Sequence, residues 1–237
     1  MALQDRRWMT TTEAAQAEID VGLRSYMLRV YNYMASGLAL TGLVAAFVAN
    51  TPALYTAIFG SPLMWVAILA PVALVFFLSF RVHAMSAATA QLCFWVYAAL
   101  NGVAFSTIFL AYTGTSIARV FFVTAATFGA MSLYGYTTKR DLAGVGMFLF
   151  AGLIGILIAA LVNLFLQSSA LQFAISVIGV VVFVGLTAWD TQRIKEVYFE
   201  ADDQEVAAKK SIMGALTLYL DFINIFLMLM QLFGEKK

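Results

Sequence analysis

Thr217 to Phe226 reads TLYLDFINIF, the middle of an apolar stretch from Ile212 to Phe233 whose one charged residue is Asp221. A run of that length crosses about 30 Å of hydrocarbon at about 1.5 Å of helix rise per residue. Asp221 lies roughly 15 Å of rise beyond Ser211, which places it near mid-depth. An ionised carboxylate there costs about 2.5–3.5 kcal/mol on the most lenient insertion scale. Asp221 must therefore be protonated, paired or facing water.

The rest of the chain has the same character. Of 237 residues, 62% are hydrophobic and 11% charged. Soluble domains run to about 45–50% apolar and about 25% charged residues, so a soluble globule is excluded. Apolar runs fall at 30–49, 62–80, 87–111, 117–135, 146–166, 171–190 and 211–233. They lack the ten-residue alternation of a barrel. The expectation is an all-α membrane protein, a seven-transmembrane-helix bundle over residues 30–237. Residues 1–29 form a cytoplasmic N-terminal tail that lacks the layout of a cleaved signal peptide. A net charge of +1 gives no argument for nucleic acid. Cys93 stands alone, which excludes an intrachain disulfide and a cysteine metal cluster. It reads as a small buried thiol.

Orientation follows from Lys and Arg. The tail carries Arg6, Arg7, Arg24 and Arg29. The second connection has Arg81, the fourth Lys139 and Arg140, and the sixth Arg193, Lys195, Lys209 and Lys210. The odd connections have none, apart from Arg119 at the edge of the fourth span. Positive residues stay inside, so the N-terminus and the even connections are expected in the cytoplasm. Seven crossings then put Lys236 and Lys237 outside, against the bias. Six crossings with a re-entrant last segment would return them, but the last segment is long enough to span.

Within the spans, Ala151, Gly155 and Ala159, and likewise Gly37 and Thr41, recur at four-residue spacing. Small residues so placed let helix backbones approach in lipid. Pro71 removes a backbone bond in the second span and predicts a kink. Asn101, Asn163 and Asn224 are expected to bond across helices. His83, in a short cytoplasmic turn, reads as a solvated histidine or a pH sensor.

A partner for Asp221 is found in GLTAWDTQRIKEVYF, which holds Asp190. Val197, Tyr198 and Phe199 extend the apolar face past it, and Arg193 and Lys195 can snorkel. If the sixth helix continues to about Phe199, Asp190 lies below the membrane surface, opposite Asp221 on an antiparallel neighbour. Two carboxylates in contact at low dielectric cannot both ionise cheaply, and their titration belongs to the pair. Such a dyad senses pH and, ionised, offers oxygens to a hard cation such as calcium. The alternative is that Asp190 pairs with Arg193, and Asp221 bonds Tyr219 or Asn224.

MSLYGYTTKRDLAGVGMFLFAGLIGILIAALVNLFLQS, GLTAWDTQRIKEVY, ALTLYLDFINIFLMLMQLFG and GLRSYMLRVYNYMASGLALTG resemble the Bax inhibitor-1 family, in its bacterial inner-membrane branch. The resemblance covers almost the whole chain after the tail. It implies a central last helix surrounded by six, and a pH-sensitive calcium leak gated by two aspartates. These map onto Asp190 and Asp221, which would also hold calcium transiently; no other cofactor is implied. It further implies a second-helix arginine as latch on the closed pair, for which Arg81 is the match. A Gly-Pro expected in the third-helix region is absent near AYTGTSIARV.

Other classes fit less well. An intramembrane aspartyl protease would carry Gly-x-Gly-Asp, whereas Leu218, Tyr219 and Leu220 precede Asp221. A retinal protein needs a lysine in its last helix, and this span has none. The chain is not expected to be an enzyme. The serious rival, again from the resemblance, is a non-conducting modulator that restrains a membrane-bound quality-control protease.

Overall fold

The computed structural model describes the backbone from Thr11 to Lys237 and side chains from Val21 onward. Eight α-helices follow in order: α1 (Thr11–Ala49), α2 (Pro52–Phe59), α3 (Leu63–Arg81), α4 (Ala87–Ala111), α5 (Gly114–Thr137), α6 (Ala143–Leu166), α7 (Ser169–Glu196) and α8 (Gln204–Phe233). All but α2 are long and apolar enough to cross a membrane. The α2 helix sits in the first connection and buries none of its residues. Side-chain caps start four helices sharply: the Ser86, Thr113, Ser168 and Asp203 oxygens each accept from a first-turn backbone N–H.

One boundary differs from the sequence reading: the expected tail is helical from Thr11, continuous with the first span. Residues 1–10, with Arg6 and Arg7, lie outside the described residues. The sixth spanning helix, α7, continues to Glu196, which keeps Asp190 inside it.

The core lies around α8, which buries more of its surface than any other span. It packs extensively against α1, α4, α5 and α7. α3 rests on α4, and α6 on α7. The last helix is thus central, as expected, but four helices rather than six form its immediate wall. The outer pair are the two most apolar spans, which lose least by facing lipid.

Close helix contacts occur at glycines, though not always where the spacing suggests. Gly37 lies under the Phe94 ring, and Thr41 is buried and hydrogen-bonded. By contrast Ala151 and Gly155 are exposed, and a Cβ on Gly155 would meet nothing. The first two residues of that stripe face outward, and only Ala159 packs against the core. Instead α6 meets α7 through Gly146, which carries the Trp189 indole. α5 meets α7 through Gly135, against the Ala188 carbonyl. Of the three asparagines, only Asn163 reaches another helix, donating to Gln172 Oε1 at 3.1 Å. Asn101 and Asn224 donate to the carbonyls of Tyr97 and Leu220, one turn back on their own helices. That carbonyl is always within reach of a short amide, whereas a partner on another helix requires a matched position. Pro71 is buried within an unbroken α3.

Tyr198, in the α7–α8 connection, packs on Tyr26 of α1 with ring centroids 5.6 Å apart. The start of α1 and that connection therefore share one face. At the other face, residues 234–237 bind the α4–α5 turn: Thr113 N donates to Glu235 O at 2.9 Å and Lys237 N to Ala111 O at 3.0 Å. α8 runs unbroken between the faces, so among the described residues seven helices are fit to cross, and the last segment does not fold back as a re-entrant loop. The α1-start face holds Arg24, Arg29, Arg81, Lys139, Arg140, Arg193, Lys195, Lys209 and Lys210; the other holds Arg119, Lys236 and Lys237. We call the first the basic face.

Candidate functional site

Asp190 and Asp221 meet between α7 and α8. Their carboxyl groups are within hydrogen-bonding reach of each other. A carboxylate only accepts, so a bond between two of them requires one proton on the pair. Asp221 is 4% exposed, and its Oδ2 has no hydrogen-bond partner among the described residues. Asp190 is half-buried and lines a cavity of about 570 Å³ open toward the basic face. The pair thus has one wet member and one dry member.

The backbone around Asp190 is fixed from two sides. Gly135 of α5 and Gly146 of α6 allow α7 to approach at Ala188 and Trp189, the two residues before it. On α8, Ile194 of α7 fits against Gly214. Larger residues at these glycines would push α7 outward and part the carboxyls.

The alternative partners of the two aspartates are engaged elsewhere. Thr41 Oγ1 spends its single proton on a backbone carbonyl, Gly37 O at 2.9 Å or Ala98 O at 2.8 Å, so the Tyr219 hydroxyl, 2.7 Å away, donates to Thr41. Asn224 donates to its own helix. Arg193 stands close enough to Asp190 for its charge to act there. Its guanidinium lies 5.6 Å from the centroid of the Trp189 ring, and among the described residues it forms no ion pair with either aspartate.

Arg81 is not in the site. Its side chain is exposed, outside the cavity lining, and makes no ion pair among the described residues. The reason is local: α3 rests on α4, and the chain tightens into a 3-10 turn at Val82–Ala84 directly after Arg81. That corner instead turns Ser79, Val82 and His83 toward the cavity. Lys209 and Lys210 line the same space, but each has a carboxylate partner, Glu205 at 3.4 Å and Asp202 respectively.

No group of three or more metal-ligating His, Cys, Asp or Glu side chains occurs among the described residues. Calcium takes six to eight oxygens, and the aspartate pair supplies at most four. The pair alone therefore falls short of a full calcium shell.

Two features of the site had no sequence signal. An aromatic cluster of Phe94, Tyr97 and Tyr219, edge to face, is built around the residue two before Asp221 on α8. A hydroxyl chain joins Tyr31, Ser132 and Thr191, at 2.6 and 3.0 Å, beside Asp190. Both bring together residues distant in sequence, and only the aromatic content of each helix was visible beforehand.

The comparisons agree with this architecture. Residues 23–237 match the family model described as inhibitor of apoptosis-promoting Bax1. The chain belongs to the Bax inhibitor-1 family. An uncharacterised protein of Rickettsia prowazekii is 53% identical over 229 residues, covering 96% of each chain. A relative named inner membrane protein YbhL, from Escherichia coli, is 50% identical over 219 residues, 91% of this chain and 94% of that one. A Deinococcus radiodurans protein is 46% identical over 216 residues, 90% and 92% of the two chains.

Proposed function

We propose that this Bax inhibitor-1 family member is a pH-sensitive calcium leak gated by the Asp190–Asp221 pair. One observation carries the reading: two carboxyl groups on adjacent helices lie within hydrogen-bonding reach where a cavity from the basic face ends. With one proton shared, the pair ties α7 to α8 and closes the path. With that proton lost, the two charges repel at low dielectric and expose up to four oxygens to a divalent cation. Lower pH therefore favours the closed arrangement, and flux rises as pH climbs through the titration of the pair. Arg193, beside Asp190, stabilises the ionised form and sets the midpoint. The name of the Escherichia coli relative supports a bacterial inner membrane, with the basic face cytoplasmic by its Lys/Arg excess.

Calcium uptake into proteoliposomes across a pH series tests this. Wild type should conduct more at higher pH, and Asp190→Asn and Asp221→Asn should abolish the pH dependence while still folding. Unaltered pH-dependent flux in both variants would remove the pair from the mechanism.

A second reading has its own observation. The outward face of α1 carries Ser25, Arg29, Asn32 and Ser36, all exposed. Such a polar track suits another membrane helix, and so a non-conducting modulator of a membrane-bound protease. Absence of flux in wild type, with a protease recovered by cross-linking from this face, would favour it.

A further inference from the structure

We propose that the groove between α1 and α5 binds one anionic phospholipid of the basic-face leaflet. Around α8, α1 packs on α4 and α5 packs on α7, but α1 and α5 scarcely touch. The seam left between them is a cavity of about 460 Å³. Arg24, Met27, Leu28 and Tyr31 line it from α1, at the spacing of one helix face. Phe128, Gly129, Ser132 and Tyr136 line it from α5.

The chemistry of this seam changes along its length. Its outer end holds cations. Arg24 is exposed there, and Lys195 Nζ sits at the Tyr136 end, 2.9 Å from the Tyr136 carbonyl and 5.7 Å from its ring centroid. A lysine has two further N–H donors for a phosphate. The walls below are hydrocarbon. From Arg24 to Tyr31 is about 10 Å of helix rise, within a leaflet roughly 15 Å deep, so the groove takes the upper part of an acyl chain. Basic pockets between spanning helices near a membrane surface are suited to anionic headgroups.

The floor supports the same placement. Thr191 Oγ1 gives its one proton to Thr187 O at 2.7 Å. Ser132 must then donate to Thr191, and Tyr31 to Ser132. Every proton of the chain points away from the groove, and the Tyr31 oxygen is left with acceptor capacity only. A phosphate would find no donor at this floor. It belongs at the rim, with its tail inward. Space for the tail comes from Gly129, where an added Cβ would meet nothing within 4 Å.

Gly129→Leu therefore fills the groove without displacing either helix. The full chain, delipidated in detergent, is titrated with phosphatidylglycerol or with phosphatidylcholine of the same acyl chains and examined by native mass spectrometry. Wild type should take up one saturable phosphatidylglycerol. Gly129→Leu should weaken it by about tenfold or more, the worth of two buried methylenes. Arg24→Gln should reduce the preference over phosphatidylcholine by about fivefold, the worth of one cation near an anionic headgroup. Arg119→Gln, on the opposite face, should change neither. No saturable adduct, equal uptake of the two lipids by wild type, or unchanged binding by Gly129→Leu would overturn the proposal. So would a dimer that Gly129→Leu dissociates, since a second copy would then occupy the groove.

Discussion

The two cavities that flank Asp221 along α8 are opposites. On the basic-face side, residues Val206 to Thr217 of α8 border a space that also meets His83, Asp190 and Arg193. On the far side, Phe222, Ile223 and Phe226 border about 390 Å³ enclosed by Leu38, Ala45, Phe105 and Ile117, with Thr41 as its main polar group. Water and ions are stabilised in the first space and not in the second. Asp221 marks the boundary, its Oδ2 unpartnered. On the leak proposed above, a path along α8 would meet two barriers in series, a titratable one at the aspartates and an apolar one beyond them.

The most damaging way to break this arrangement is at the Gly135 contact that seats Asp190. Gly135→Leu would drive a side chain into the Ala188 carbonyl. The expected cost is about 3 kcal/mol or more, since backbone cannot yield as a side chain does. It would be read as loss of monodisperse protein and a lowered unfolding midpoint in detergent; a wild-type midpoint would show that α5 and α7 are not clamped there. Next in size is Phe226→Asn, which wets the apolar half. If that half is the second barrier, calcium leak should rise about tenfold, the effect of roughly 1.4 kcal/mol on a rate. Leak no greater than in wild type would leave the aspartates as the only barrier.

Smaller effects sharpen the polar half. Arg193→Gln should move the flux profile toward higher pH by up to about one unit, because the ionised pair loses its neighbouring cation. Arg81→Gln should leave the profile in place. The reverse result would restore Arg81 as the latch and require a rearrangement of the α3 corner. Smallest of all, Arg119→Gln removes an exposed 3.1 Å pair with Glu235 and should change stability by about 0–1 kcal/mol. A larger loss by thermal unfolding would mean that the far side depends on the ion pair as well as on its backbone bonds.

What could be read from residues alone followed depth and periodicity. Seven apolar runs gave seven helices fit to cross, and α7 does continue beyond Asp190, though only to Glu196 and not to the apolar Phe199. Arg81 was misplaced because a motif match gives a residue's position along the chain but not where a helix corner points. The Ala151–Gly155–Ala159 stripe misled for a related reason. Small residues permit a close approach, but which face is used depends on the neighbour's shape, here the Trp189 ring on Gly146. The hydroxyl chain was invisible because Tyr31, Ser132 and Thr191 come from three helices whose relative rotation no single-helix pattern encodes.

The backbone bonds of residues 234–237 to the α4–α5 turn have a mechanical consequence. They pin one end of α8 while its other end meets a loop. In the opening proposed above, a rod pinned at one end would move as a lever. Asp221 stands twelve residues from Phe233, about 18 Å from the fulcrum, so parting the carboxyls by about 3 Å takes a swing of roughly 10°. The same swing displaces Ser211 by nearly twice as much, about 6 Å at about 33 Å from the fulcrum. A pair of spin labels placed near Ser211 and on the start of α1 would therefore register opening as a larger distance change than any probe beside the aspartates themselves.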